Sequence, residues 1–322
     1  MITLYRYTLP FVRPVATRHG VLATRTGLLV REGDAWGEAA PWPGLSRESL
    51  KEAEAGLKIW RNDPQSDRIL TPRLSSVVSA VESVRWVPDP ASPIKIPING
   101  LLSDEPLDSA LPALRTAGFR TVKIKVGRQS LRADVERVCE VYEQLGPDIK
   151  LRLDANRAWT LSEALDFARR IDGISLEYIE EPLQNPAELA QFHNRSGLPV
   201  AVDESYWTRP ITDFTNGCFV HALIIKPTII GGLITAERVA EFVRHFGWQP
   251  VFSAVYESGV GIRALARLAA RCGTPGVAMG YDTYRCLADD VLQPRLAFRD
   301  GALDLAEAER AEVCVEKLQE LA

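Results

Sequence analysis

What the sequence lacks narrows its chemistry first. Its 322 residues contain no CxxC pair, and the five cysteines, Cys139, Cys218, Cys272, Cys286 and Cys314, are scattered. Neither a disulfide framework nor a zinc site is expected, only reduced and mostly buried thiols. Histidine is scarce: His19, His193, His221 and His245 fall mostly in helix-like or loop-like stretches, which leaves a histidine base or a Ser-His-Asp triad without support, His19 in TRHG alone staying open. Basic residues are not in excess, with 38 Lys and Arg against 42 Asp and Glu and a net charge of -4. Without a basic stripe, nucleic acid is excluded as a partner. The start, MITLYRYTLPFVRP, has none of the parts of a signal peptide, and no apolar run is long enough to span a bilayer. A cytoplasmic protein with no membrane partner is the expectation.

What is present reads as an α/β fold. Hydrophobic residues make up 46% and charged residues 25%, the balance of a globular protein, and the length suits one (β/α) barrel of about 250 residues plus a smaller unit. Short β-rich runs recur with helical stretches between them: 94–100, 121–127, 149–156, 176–182, 199–205, 222–228, 250–258 and 276–282. Helices are predicted over 130–145, over 160–172, where Thr160 and Glu163 have capping-box spacing, and over 232–246, which stops at Gly247. Eight strands with crossover helices predict a closed barrel rather than an open sheet. Residues 1–91 differ: TRTGLLVREGDAWGEAAPWPG alternates like antiparallel strands around Glu32, Gly33 and Asp34, and a helical stretch follows from Ser46. The expected organisation is an α+β cap over 1–91, completed by the segment 290–322, and a barrel over 92–289.

Barrel active sites are built at the C-terminal ends of the strands, and this sequence places charge there. Lys125, Asp154, Glu180, Asp203 and Lys226 end five successive runs. Three carboxylates converging from neighbouring strands suit a hard cation, Mg²⁺ or Mn²⁺, better than zinc. Lys123 and Lys125 are two apart and share one face of their strand, where a second ammonium would lower the pKa of the first. Lys226 ends the apolar run ALIIKPT, where an unpaired charge is costly. A base on one side and a cation on the other, around a metal, is an arrangement for making an enolate beside a carboxylate. Gly231 and Gly232 open a helix whose N-terminus could receive an anion, although a tight turn explains them as well. Ser253, near the seventh strand end, is a candidate substrate contact.

With WGEAAPWPGLS, KIKVG, LRLDANRAWT, IEEP, AVDES and IIKPTIIGG in hand, nearly the whole chain resembles the enolase superfamily, and within it the o-succinylbenzoate synthase family. The resemblance implies a modified TIM-type barrel, (β/α)7β, under an α+β cap. It implies Asp154, Glu180 and Asp203 as Mg²⁺ ligands, Lys125 as the acid-base group, Lys226 as the cation that stabilises an enediolate, Lys123 as an auxiliary lysine and Arg152 as a substrate-orienting residue. The implied substrate is a small carboxylate that loses water. Racemases and epimerases of the superfamily share the lysine pair and the ligand triad. A metal-free Schiff-base aldolase and an inactive barrel serving as a binding protein are the more distant readings.

Overall fold

The computed structural model describes residues 1–17, 20–65, 71–86, 94–215, 217 and 219–322. His19, Cys218 and the expected boundary between residues 91 and 92 lie outside them.

The N-terminal part is an antiparallel sheet covered by helices. β1 (Ile2–Thr17) pairs with β2 (Gly20–Glu32), with an irregular register between Pro10 and Val15, and β2 turns into β3 (Ala35–Ala39). Gly33 takes the left-handed φ of 61° that this tight turn demands. The pairing of β1 with β2 runs from Ile2 opposite Glu32 to Thr17 opposite Gly20. α1 (Leu50–Asn62) begins later than Ser46 because Ser49 and Glu52 form a reciprocal capping box, with the Ser49 Oγ accepting from the Glu52 N–H and the Glu52 carboxylate accepting from the Ser49 N–H. α2 (Ser75–Arg85) lies against β3. Leu28, Val30, Leu57, Trp60, Val77 and Val81 pack into a core of their own between these elements.

The barrel follows. β4 (Lys95–Pro97) and β5 (Gly100–Leu102) divide the first expected strand, and then come α3 (Leu107–Thr116), β6 (Thr121–Lys125), α4 (Leu131–Leu145), β7 (Lys150–Asp154), α5 (Leu161–Arg170), β8 (Leu176–Glu180), α6 (Leu189–Ser196) and β9 (Val200–Val202). The chain continues through α7 (Ser205–Thr208), β10 (Val220–Ile225), α8 (Pro227–Ile230), α9 (Leu233–Arg244), β11 (Gln249–Phe252) and α10 (Gly259–Cys272). Seven strands, β5 to β11, form one parallel sheet in chain order. The run 276–282 is no regular strand: it closes the barrel by single bridges, Met279 to Ile98 and Gly280 to Ser253. Gly280 makes the closer of these approaches possible, since a Cβ there would lie 2.7 Å from the Ser253 Oγ.

The last segment divides between the two parts. β12 (Leu292–Gln293), β13 (Phe298–Arg299), β14 (Ala302–Asp304), α11 (Leu305–Arg310), β15 (Glu312–Val313) and β16 (Gln319–Leu321) complete the chain. β14 pairs with β4 beside the barrel, whereas β16 alone returns to the N-terminal sheet, beside β1. Among the described residues the cysteines are free, and only Cys272 is buried. Cys139, Cys286 and Cys314 are half-buried, against expectation; Cys139 lies one position past Val138 in the buried stripe of α4. No helix of the described residues is long and apolar enough to cross a membrane.

Buried polar groups join the two parts. The Glu38 carboxylate accepts from the Ser258 N–H at 2.9 Å, the Ser258 hydroxyl at 2.6 Å, the Gly261 N–H at 2.8 Å and the Tyr7 hydroxyl. Arg25 donates to the carbonyls of Pro41 at 2.8 Å and Tyr256 at 3.0 Å. β3 and α2 approach closely at Gly37, where a Cβ would stand 2.0 Å from the Ala80 carbonyl oxygen. Backbone cannot rotate aside as a side chain does, so Gly37→Ala is expected to destabilise the protein by roughly 1–3 kcal/mol, the usual cost of overpacking. Urea unfolding should show a lower midpoint with an unchanged slope.

Candidate active site

The parallel ladders set the charged residues side by side. Lys125 pairs in register with Asp154, and Asp154 with Glu180, so three ionisable groups neighbour one another at the strand ends of β6, β7 and β8. On β6 the alternation is strict: Val122 and Ile124 are buried, while Lys123 and Lys125 reach the opposite face. Asp203 directly follows β9, and Lys226 follows β10 as the first residue capping α8. Lys123, Lys125, Asp154, Lys226 and Ser253 line one cavity of about 630 Å³. Its opposite wall is the β1–β2 hairpin, through Val12, Arg13 and Val15, with Trp42 beside it. Tyr256 stacks on Trp42 with ring centroids 4.5 Å apart, and Phe11 meets the same ring edge-on.

The ammonium groups and carboxylates are interleaved. The Lys125 Nζ donates to Asp154 Oδ2 at 2.5 Å and to Asn156 Oδ1 at 2.9 Å. The Lys123 Nζ donates to the same Asp154 oxygen at 3.2 Å and to Glu180 Oε2 at 3.2 Å. The Lys226 Nζ donates to Asp203 Oδ2 and stands 5.2 Å from the centre of the Trp207 ring. The carboxylates are only 1% exposed and the lysines 12–16%, so these pairs act where water screens little.

Burial is the largest influence on every one of these shifted groups, and the neighbouring charges decide the outcome. Burial would raise Asp154, but the Lys125 and Lys123 charges outweigh it and hold the carboxyl well below its usual range. Glu180 is raised by burial and by the Asp154 charge, and Asp203 is raised well above its usual value by burial, which Lys226 only partly offsets. Burial would lower Lys123, yet Glu180 and Asp154 hold it above its ordinary value; Lys226 is held up likewise by Asp203 and Glu204. The expected depression of one crowded lysine by its neighbour is therefore not found at Lys123. The two ammonium groups meet across a shared carboxylate oxygen instead.

The donor set fits a hard divalent cation in kind. All three carboxylates offer oxygen, and Asp203 Oδ1 is buried without a hydrogen-bond partner. Among the described residues no three acidic, histidine or cysteine side chains stand gathered as a metal cluster; Lys123 bridges Asp154 and Glu180, and Lys226 pairs with Asp203. Glu181, next to Glu180, is used differently. It accepts from the Asp203 N–H at 2.7 Å and from the Ser205 N–H at 2.8 Å, bracing the Asp203 backbone, and burial pushes it up to about 7 against the Ser205 hydrogen bonds.

Two candidates sit apart from the charged cluster. Arg152 is fully buried beneath it, with its guanidinium donating to Glu177 at 2.6 Å, Asn99 Oδ1 at 3.1 Å and the Ala278 carbonyl at 2.8 Å, and it does not line the cavity. It braces the barrel interior rather than facing a ligand. Ser253 does line the cavity, with its hydroxyl donating to the Gly280 carbonyl at 3.2 Å. His221 lies on β10 rather than in a helix or loop, near the strand's start and away from the cluster.

Sequence reading missed Asn156, Glu204 and Trp207. Asn156 bridges Lys125 and Glu204, donating from Nδ2 to Glu204 Oε1 at 3.3 Å, and its φ of 47° is left-handed, a geometry asparagine tolerates better than most. Its position two residues past Asp154 in LDAN was the available signal.

Residues 107–309 match the family model described as enolase C-terminal domain-like, and residues 1–84 match the model described as MenC, N-terminal domain. The o-succinylbenzoate synthase of Pectobacterium atrosepticum is 34% identical over 326 residues, covering 97% of this chain and 98% of that protein. The one from Yersinia enterocolitica is 35% identical over 295 residues, covering 87% and 89%. A structure of an enolase superfamily member from Roseovarius nubinhibens complexed with magnesium superposes with a TM-score of 0.80 at 21% identity, covering 100% of this chain and 97% of that one. Fold and charged barrel mouth together are those of an enolase-type barrel enzyme. The chain belongs to the o-succinylbenzoate synthase family of the enolase superfamily.

Arg152 and Glu177 give a pH-dependent test. Burial would raise Glu177 above the ordinary 4.5, but the Arg152 charge outweighs it and holds the carboxyl lower. A depressed folded-state value contributes stability above the unfolded-state pKa and loses it as pH falls through the folded value. Glu177→Gln is expected to cost roughly 3–5 kcal/mol at neutral pH, because Arg152 is left buried and unpaired. Urea unfolding should show the gap to the parent narrowing as pH drops below 4.5; a gap that stays constant contradicts the pairing.

Proposed function

We propose that this protein is an o-succinylbenzoate synthase, converting 2-succinyl-6-hydroxy-2,4-cyclohexadiene-1-carboxylate to o-succinylbenzoate and water, a step of menaquinone biosynthesis. The observation that carries the reading is that Lys125 and Lys226, from strands separated by three others in the sheet, line the same cavity beside Asp154. Asp154, Glu180 and Asp203 would hold Mg²⁺ or Mn²⁺. When bound, the cation supplies a Lewis acid for the substrate carboxylate.

The chain's own residues do the rest. Lys125, as the neutral amine, takes the proton from the carbon bearing the carboxylate. Lys226, held as a cation by Asp203, faces the negative charge that spreads over the carboxylate oxygens as the enediolate forms. The Lys125 ammonium then returns its proton to the departing hydroxyl on the same face; the carbon–oxygen bond breaks, water leaves and the ring becomes aromatic. One lysine serving as base and then acid makes the elimination syn. Asn156 accepts one hydrogen of Lys125 and so orients the nitrogen.

The test is turnover. Protein stripped with EDTA should be inactive, and Mg²⁺ should restore rapid loss of the diene absorbance. Lys125→Ala should lower the rate at least about 10²-fold, the lower edge of what a general acid-base group contributes. Two lysines on opposite walls also suit racemisation by two bases. Failure of the diene substrate, together with D₂O exchange and racemisation of an N-succinylamino acid, would replace the synthase reading with that one.

A further inference from the structure

The double glycine at 231 and 232 has no part in proton transfer, yet it lies between Lys226 and the cap. α8 begins on Lys226: the amides of Ile229 and Ile230 donate to the Lys226 carbonyl at 2.9 and 3.1 Å, and the Gly232 N–H donates back to the Pro227 carbonyl at 2.8 Å. The turn that carries Lys226 therefore ends where α9 starts. α9 has no capping side chain of its own, because its N-cap residue is Gly232.

A residue of the N-terminal part takes that place. Glu82, on α2, accepts from the Leu233 N–H at 2.5 Å and the Ile234 N–H at 3.0 Å with the same oxygen, Oε2. The glycine makes room for it: at a φ of +98°, a Cβ on Gly232 would fall 2.4 Å from Glu82 Oε2 and 2.7 Å from Val78 Cγ1. The anion received by this helix N-terminus is the protein's own carboxylate, set where the helix dipole favours negative charge. On its other flank, α8 is tied through the Thr228 hydroxyl, which donates to Glu257 Oε1 at 2.8 Å.

We propose that Glu82 is a positioning residue for Lys226: by capping α9 from α2, it fixes the α8 turn, so that the Lys226 ammonium is correctly placed only when α2 is docked on the barrel. The proposal rests on the reading of Lys226 as the cation that stabilises the enediolate. A residue acting in this way should influence the chemical step more than substrate binding, because small displacements of a charge-stabilising group are felt mainly in the transition state.

The experiment combines steady-state kinetics in saturating Mg²⁺ with amide hydrogen exchange on Glu82→Ala, Glu82→Gln and Lys226→Met. Glu82→Ala is expected to lower kcat about tenfold, a fraction of what a displacement of about an ångström can cost, with KM near the parent value. Glu82→Gln, which keeps an acceptor oxygen, should recover most of kcat. The amides of Ile229, Ile230 and Leu233 should exchange faster in the Ala variant and near the parent rate in the Gln variant. An Ala variant with parental kcat, a loss confined to KM, a Gln variant as impaired as Ala, or unchanged exchange would each overturn the proposal. Should Glu82→Ala fail to fold, Glu82→Asp takes its place: one methylene short of the amides, it should lose kcat where Gln keeps it, and equal kcat in the two overturns the proposal. Lys226→Met separates the premise from the inference. Parental kcat there removes the catalytic reading of Lys226, while the exchange data still report whether Glu82 holds α8.

Discussion

One oxygen of Asp154 organises this site. It accepts from Lys125 and Lys123 at once, and those two contacts tie the strand end of β6 to that of β7. Buried ammonium groups and buried carboxylates are each costly alone, and only their interleaving makes the set tolerable at the mouth of an apolar barrel. Lys123 bridges Asp154 and Glu180, and Lys226 holds Asp203, so any cation entering between them must re-partition hydrogen bonds that already exist.

The barrel presents this charge, but the N-terminal part closes the space above it. Its hairpin and Trp42 form the wall opposite the lysines, and the stacking of Tyr256 on Trp42 fixes that wall against the loop after β11. The junction is polar and buried rather than greasy. Glu38 spends its carboxylate on Ser258, Gly261 and Tyr7, and Arg25 on carbonyl groups, so docking is directional: a slip of either part would strand several buried donors. Glu82 extends the same logic to the neighbouring barrel unit, where α2 meets α8 and α9.

Much of this was legible in the residues. Lys125, Asp154, Glu180, Asp203 and Lys226 stand at successive strand ends because a parallel barrel repeats one strand and one helix per unit, and that rhythm is written in the apolar runs. Legibility stopped where contacts cross between distant segments. Arg152 shares a face with Asp154 and so reads as a site residue, yet Glu177 and Asn99 claim its guanidinium in the interior. The eighth run has the look of a strand but contributes only bridges to the segments on either side.

By itself the sequence determined the periodicity, the ionisable residues at five successive strand ends, the capping box that starts α5, and the kinship that follows from them. Those are local properties, set by the period of a strand or helix and by chemistry within a few residues. Tertiary structure alone decided which ammonium pairs with which carboxylate, that the lysines share Asp154 instead of repelling each other, and that Glu82 rather than a ligand fills the N-terminus of α9. Each of those depends on groups far apart in the chain brought within hydrogen-bond distance in a low-dielectric interior, where a partner's position rather than its identity sets the energy.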